Sequence, residues 1–140
     1  MSSPSRSPMT LFDVAGQAMS AQLVRMNAAA SNLANAGTVA STANAAYRPL
    51  RPVFATVLDS ATGLASVKVQ AVVQSPAAPI RTHDPDNPLA DGNGDVWSAP
   101  VDENAEMVEM TESARQYQNV VEAMQTAKQL TLDTMRMKTT

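Results

Sequence analysis

The chain has 140 residues, nine of them Met and nine Pro, with a single His, no Cys and a formal charge of −3. Without thiols, disulfides and thiolate chemistry are excluded, and ten scattered Lys and Arg make no cationic stripe for nucleic acid. No run of about 18 apolar residues is present to cross a membrane. Two Phe, two Tyr and one Trp leave Ala, Val and Met to make most apolar contacts. A buried Ala contributes far less than the roughly 1.5–3 kcal/mol of a large apolar side chain, so neighbours are expected to supply part of the burial.

Residues 1–9 are rich in Ser and Pro and are expected to be disordered in isolation. They hold no apolar run of the length a cleavable signal peptide needs, which by itself predicts a cytoplasmic protein. Thr10 then reads as a helix N-cap, with Asp13 as the acid of a capping box. Phe12, Gly16, Met19, Leu23, Met26, Ala30 and Leu33 recur at alternating steps of four and three, the spacing of a coiled-coil seam. A first helix is predicted over 11–36, with Gly37 as C-cap.

Residues 37–46 lack periodicity and read as loop. After Pro49 and Pro52 comes an extended run, Val53–Leu58, and a turn at 59–63. Val67, Val69, Ala71 and Val73 then alternate with Ser66, Lys68 and Gln70, the period of a half-buried strand hairpinned to the one before. Residues 75–100 are Pro-rich, and only Ile80-Arg81 and Asp95–Ser98 are strand-sized. The last helix is predicted over 103–137. Its stripe is Met107, Met110, Ala114, Tyr117, Val121 and Met124, continuing to Ala127, Leu130, Thr134 and Met137. Glu103, Glu106, Glu109 and Glu112 start it, and Arg136 and Lys138 close it, a polarity that suits the helix dipole. The fold class expected is mainly α with a small β insert: two long terminal helices in an antiparallel coiled-coil-like pair, bracketing a β-hairpin and extended region. This gives a disordered 1–9, a discontinuous helical domain of 10–46 and 101–140, and a β-rich insert at 47–100.

Chemistry finds little purchase. His83 has no second His for a metal site or triad and reads as a surface loop residue. Asp91, Asn93 and Asp95 have the spacing of the first three ligands of a calcium loop, but Val96 and Asp102 stand where it needs Gly and Glu. With Asp84 and Asp86 they read better as turn formers. Gly92-Asn93-Gly94 is too short for a phosphate loop, and the Glu103–Glu112 run reads as a solvated face. The Met residues of the last helix suit an adaptable seam. No catalytic, metal or cofactor residue is expected.

The stretch Phe12-Asp13-Val14-Ala15-Gly16-Gln17-Ala18-Met19 resembles the start of the FlgC family of flagellar rod proteins. Ala30-Ser31-Asn32-Leu33-Ala34-Asn35 resembles the Asn-rich signature of flagellar rod and hook axial proteins. Tyr47-Arg48, the block Asp86–Asp91, Glu106-Met107-Val108 and Arg115-x-Tyr117-Gln118 continue the likeness in order. The resemblance implies a structural subunit of the proximal rod, exported unfolded by the flagellar type III apparatus without a cleaved signal and placed in the periplasmic rod. Its terminal helices would pack around the export channel against copies of itself and other rod proteins. On this reading Phe12, Met19, Leu23, Met26, Leu33, Met107, Met110, Tyr117, Val121, Met124 and Leu130 carry assembly, and Asn32, Asn35, Tyr47 and Arg115 are the motif residues. The alternatives are a soluble export chaperone that grips a partner through its Met-rich helix, and a calcium-binding secreted module.

Overall fold

The computed structural model describes residues 9–139, so the expectation for 1–8 lies outside the described residues. The elements are α1 (Leu11–Ala34), β1 (Val39–Ala40), β2 (Leu50–Leu58), β3 (Ala65–Gln74), β4 (Ile80–His83), β5 (Asp95–Ser98) and α2 (Glu103–Lys138). Two helices therefore bracket a small antiparallel β region, as the hydrophobic periods indicate.

α1 opens on the predicted capping box: Asp13 N–H donates to Thr10 Oγ1 at 3.1 Å and Thr10 N–H to Asp13 Oδ2 at 2.8 Å. It ends earlier than predicted, at Ala34, with Asn35 rather than Gly37 as its C-cap. The Asn35 amide donates to Ser31 O at 2.8 Å. That side chain satisfies a terminal carbonyl which a left-handed Gly would otherwise reach through its backbone.

The expected loop at 37–46 contains β1, which pairs antiparallel with β5 through Val39↔Ser98 and Ala40↔Trp97. Two residues are too few to show a period. β5 also pairs with β4, His83 lying opposite Asp95, which gives the order β1-β5-β4. His83 thus closes a strand instead of sitting in a loop, although its side chain remains exposed.

β2 and β3 form the predicted hairpin. Its turn is held by Gly63 N–H donating to Asp59 O at 2.8 Å, with Gly63 at φ +70°. The expected alternation of β3 is broken. Val53 faces Ala71 but Phe54 faces Val69, so Gln70 bulges out and the strand changes phase. Ser66 is buried and Val69 half-buried, while Val67, Ala71 and Val73 are exposed. On β2 only Leu50, Pro52 and Ala55 turn partly inward.

α1 packs against both α2 and the hairpin. Arg25 meets Glu109 and Asn32 meets Glu106, so positions advance along α2 as they recede along α1. β2 also runs against α1: Leu50 meets Asn32 near the end of α1, and Asp59 meets Met9 just before its start. Among the described residues the apolar core is thin, consisting of Ala21, Ala28, Ala29, Ala46, Val96 and Ala99. The largest fully buried side chains are Glu106, Asn32, Pro49 and Ser113.

Candidate assembly site

The end of α1, the entry to β2 and the first turn of α2 converge on Asn32, which is wholly buried. Its amide nitrogen donates to Leu50 O and to Glu106 Oε2, both at 3.1 Å. Its oxygen accepts from Leu50 N–H at 2.7 Å and from the Tyr47 hydroxyl at 2.9 Å. All four hydrogen-bonding positions of the amide are filled, and the Leu50 backbone fixes which end is nitrogen because its N–H only donates. Tyr47 also meets the Ser31 hydroxyl at 3.1 Å.

Glu106 is the second half of this junction. It is 1% exposed, and its other oxygen pairs with Arg51 Nη1 at 2.5 Å. A buried carboxylate is tolerable only when paired and hydrogen-bonded, and Arg51 and Asn32 meet that requirement from β2 and α1. One α2 side chain thereby joins three elements. Reading Glu103–Glu112 as a solvated face is therefore wrong at Glu106. Glu109 is also engaged, accepting a two-pronged pair from Arg25 at 2.6 and 3.0 Å.

Beyond the junction the buried groups of the α1–α2 seam are small. Ala21, Arg25, Ala28 and Asn32 of α1 and Glu106, Met110, Ser113 and Tyr117 of α2 follow steps of four, three and four. Ser113 is fully buried and turns its hydroxyl back onto Glu109 O at 2.6 Å. Alanine and serine are the side chains that permit the short end of the usual 8–10 Å separation between packed helices.

The stripe singled out in the sequence shares Met110 and Tyr117 with this seam. Met19, Met26, Leu33, Met110, Tyr117, Val121 and Met124 are half-buried, whereas Phe12, Leu23, Met107 and Leu130 are exposed. Of the motif residues, Asn32 and Tyr47 share the junction, Asn35 caps α1 one turn away, and Arg115 is exposed on α2, about 13 Å along the helix from Glu106.

Sequence reasoning missed Glu106, Arg51 and Asp95. Glu106 stands four residues before Met110 in the 4-3-4 series that ends at Tyr117, and that position was its signal. Asp95 is buried in the β4–β5 pair. It accepts from Arg81 Nε at 2.7 Å and from Arg81 Nη2, and lies 3.0 Å from His83 Nδ1. These bonds, from His83 first and then Arg81, hold its pKa below the ordinary Asp value. Asp91 Oδ1 accepts from the N–H groups of Asn93 and Asp95 at 2.8 and 3.0 Å, which makes it a turn former. Among the described residues no three His, Cys, Asp or Glu come together as metal ligands, and no helix is long and apolar enough to cross a membrane.

At the other end of the molecule α2 outlasts α1, with 36 residues against 24, or about 54 Å against 36 Å. From Lys128 to Lys138 every side chain except Asp133 is exposed, including Leu130 at 62%, Met135 at 63% and Met137 at 73%.

Residues 12–40 match the family model described as flagella basal body rod protein. Residues 94–137 match the C-terminal model of the flagellar basal body rod FlgEFG proteins. The chain is 42% identical over 129 residues to the flagellar basal-body rod protein FlgC of Salmonella typhimurium, covering 91% of this chain and 95% of that one. It is 39% identical over 127 residues to FlgC of Escherichia coli O6:H1, with the same coverage. With FlgC of Agrobacterium fabrum it shares 30% over 123 residues, covering 87% of this chain and 88% of that one.

Proposed function

This chain belongs to the FlgC family of flagellar basal-body rod proteins, and we propose that it works as a building element whose terminal helices are completed by neighbouring subunits. It is a structural subunit of the basal-body rod of the flagellum and assembles with other rod components. The chaperone reading finds no support among its relatives.

The observation that carries the assembly mechanism is the distribution of apolar surface. Among the described residues the apolar core holds nothing larger than Val96, while Leu11, Phe12, Leu58, Met107, Leu130, Met135 and Met137 are exposed. A free-standing domain would reverse that arrangement. Helices 10–46 and 101–140 form an axial domain on this proposal, their half-buried Met and Leu stripe closing as a coiled-coil seam with adjacent subunits. The insert at 47–100, whose Val53, Phe54, Val57, Val67, Val72 and Val73 are exposed, meets further subunits outward. The subunit stands in the proximal part of the rod, transmits torque and surrounds the export channel. It reaches the periplasm through the flagellar export apparatus and acts by assembly, with no catalytic step, nucleic acid or cofactor.

The test is a strain lacking this gene, scored for swimming and for rods in purified basal bodies, with a plasmid copy to restore it. Loss of swimming with basal bodies halted before rod completion, reversed by the plasmid, is the expected result. Intact rods and normal swimming in the deletion strain would overturn the reading.

A further inference from the structure

A cleft runs between the first turns of α1 and the hairpin tip. Gly16 forms its floor on α1, and Phe12, Val57 and Leu58 are among its apolar walls. A Cβ built on Gly16 meets nothing within 4 Å, so the floor is open to a helix approaching closely. One end is fixed by Met9, whose N–H donates to Asp59 Oδ2 at 2.7 Å. Among the described residues, the charged ones lining the cleft are Asp13 and Asp59. Both stay ionised under ordinary conditions. The Thr10 N–H lowers the pKa of Asp13, and the Met9 N–H lowers that of Asp59.

The same chain carries a segment of matching chemistry. The exposed end of α2, Lys128–Lys138, is eleven residues of helix, about 16 Å long. It presents Leu130 and Met137 seven residues apart, with Thr134 between them, the spacing by which a helix enters an apolar groove. Its charged residues are Lys128, Arg136 and Lys138 against Asp133, which lies 3.7 Å from Arg136, so Lys128 and Lys138 make the helix end basic where the cleft is acidic. We propose that the α2 end of one copy of this chain docks in the α1–hairpin cleft of a second copy. Deepening the rod-subunit reading and resting on it, the inference names the two surfaces through which copies meet. Because cleft and helix end are different surfaces, the contact is heterologous and propagates from copy to copy unless symmetry closes it.

The chain has no Cys, so disulfide capture reads the contact directly. Copies carrying Gly16→Cys and Thr134→Cys are expressed together in the deletion strain, swimming is scored, and purified basal bodies are oxidised. The expected result is restored swimming with a disulfide-linked dimer that needs both variants. The dimer is lost when Val73→Cys, on the hairpin away from the cleft, replaces Gly16→Cys. It is weakened when Lys128→Glu and Lys138→Glu are added to the Thr134→Cys copy. Restored swimming without that dimer overturns the docking and leaves the rod reading standing. Failure of the unaltered chain to restore swimming overturns the rod reading and the inference with it. Should Gly16→Cys itself abolish swimming, Ser20→Cys on the same helix face takes its place. A fast-running monomer from a Ser5→Cys, Gly16→Cys double variant in place of the dimer would give the cleft to the chain's own first residues and overturn the proposal as well.

Discussion

The junction at Asn32 and the far end of α2 are about 40 Å apart along α2 and are built on opposite principles. At the junction each polar group described has a partner, and the residues that meet are an amide, a carboxylate, a guanidinium and a phenol. At the far end large apolar side chains stand exposed. Polar contacts therefore define the shape of the single chain, and on the proposed function the apolar surface is left for others. Hydrogen-bond networks suit the first task because their geometry specifies one arrangement. Exposed Leu and Met suit the second because burial is non-directional and is realised only on contact.

The largest expected effect lies at the junction. With Asn32→Leu, the Leu50 N–H, one Glu106 oxygen and the Tyr47 hydroxyl lose a buried partner together. The expected loss in urea unfolding of the purified chain is about 3 kcal/mol. Asn32→Asp is expected to be no better, since an aspartate would set its oxygens against Leu50 O and Glu106. If either variant unfolds like the unaltered chain, the junction does not hold the fold and the comparison fails.

Next comes the small-residue seam. Ala28 is 5% exposed, and Ala28→Leu is expected to cost about 2 kcal/mol by overpacking. Ala30→Leu, two residues on but exposed, is expected to stay within about 0.5 kcal/mol. Equal effects at the two positions would mean that α1 meets α2 through another face.

A gentler probe reaches the β4–β5 pair. The stability Asp95 contributes is fully present above its ordinary pKa, because His83 and Arg81 hold the folded value lower, and is lost as pH falls through that folded value. Trp97, the one Trp in the chain, lies 6.0 Å from the Arg81 guanidinium. Its emission is expected to hold steady through the ordinary Asp range and to change only at more acid pH. With Asp95→Asn that acid transition should disappear.

Much of this was legible in the sequence because it is local. Thr10 and Asp13 announce the start of α1, and the 4-3 spacing gives both helices. The hairpin turn after Leu58 is marked by composition, since Asp59 and Gly63 are the residue types that close such a loop. What failed was nonlocal. An acid in the first turn of a helix is favourable in water on dipole grounds alone, so nothing near Glu106 reveals that Arg51 and Asn32 will enclose it. β1 is two residues whose only reason for extension is β5, far downstream in the chain. A 4-3 stripe marks an apolar face without saying whose surface covers it, and in α1 the tight seam proved to be the less conspicuous Ala21–Ala28 line.

That last ambiguity is where the smallest effect on the single chain is the most informative. Leu130 is 62% exposed, so Leu130→Ser should change the unfolding free energy of the purified chain by less than about 0.5 kcal/mol. In the deletion strain the same variant should impair swimming, because the Leu side chain would be buried only once subunits meet. Finding both would separate the two regions by function as well as by composition. A destabilised single chain would mean that the end of α2 is already covered within one copy, and unimpaired swimming would mean that the rod does not use it. Either result removes the division of labour between a polar junction that shapes the chain and an apolar end that joins it to others.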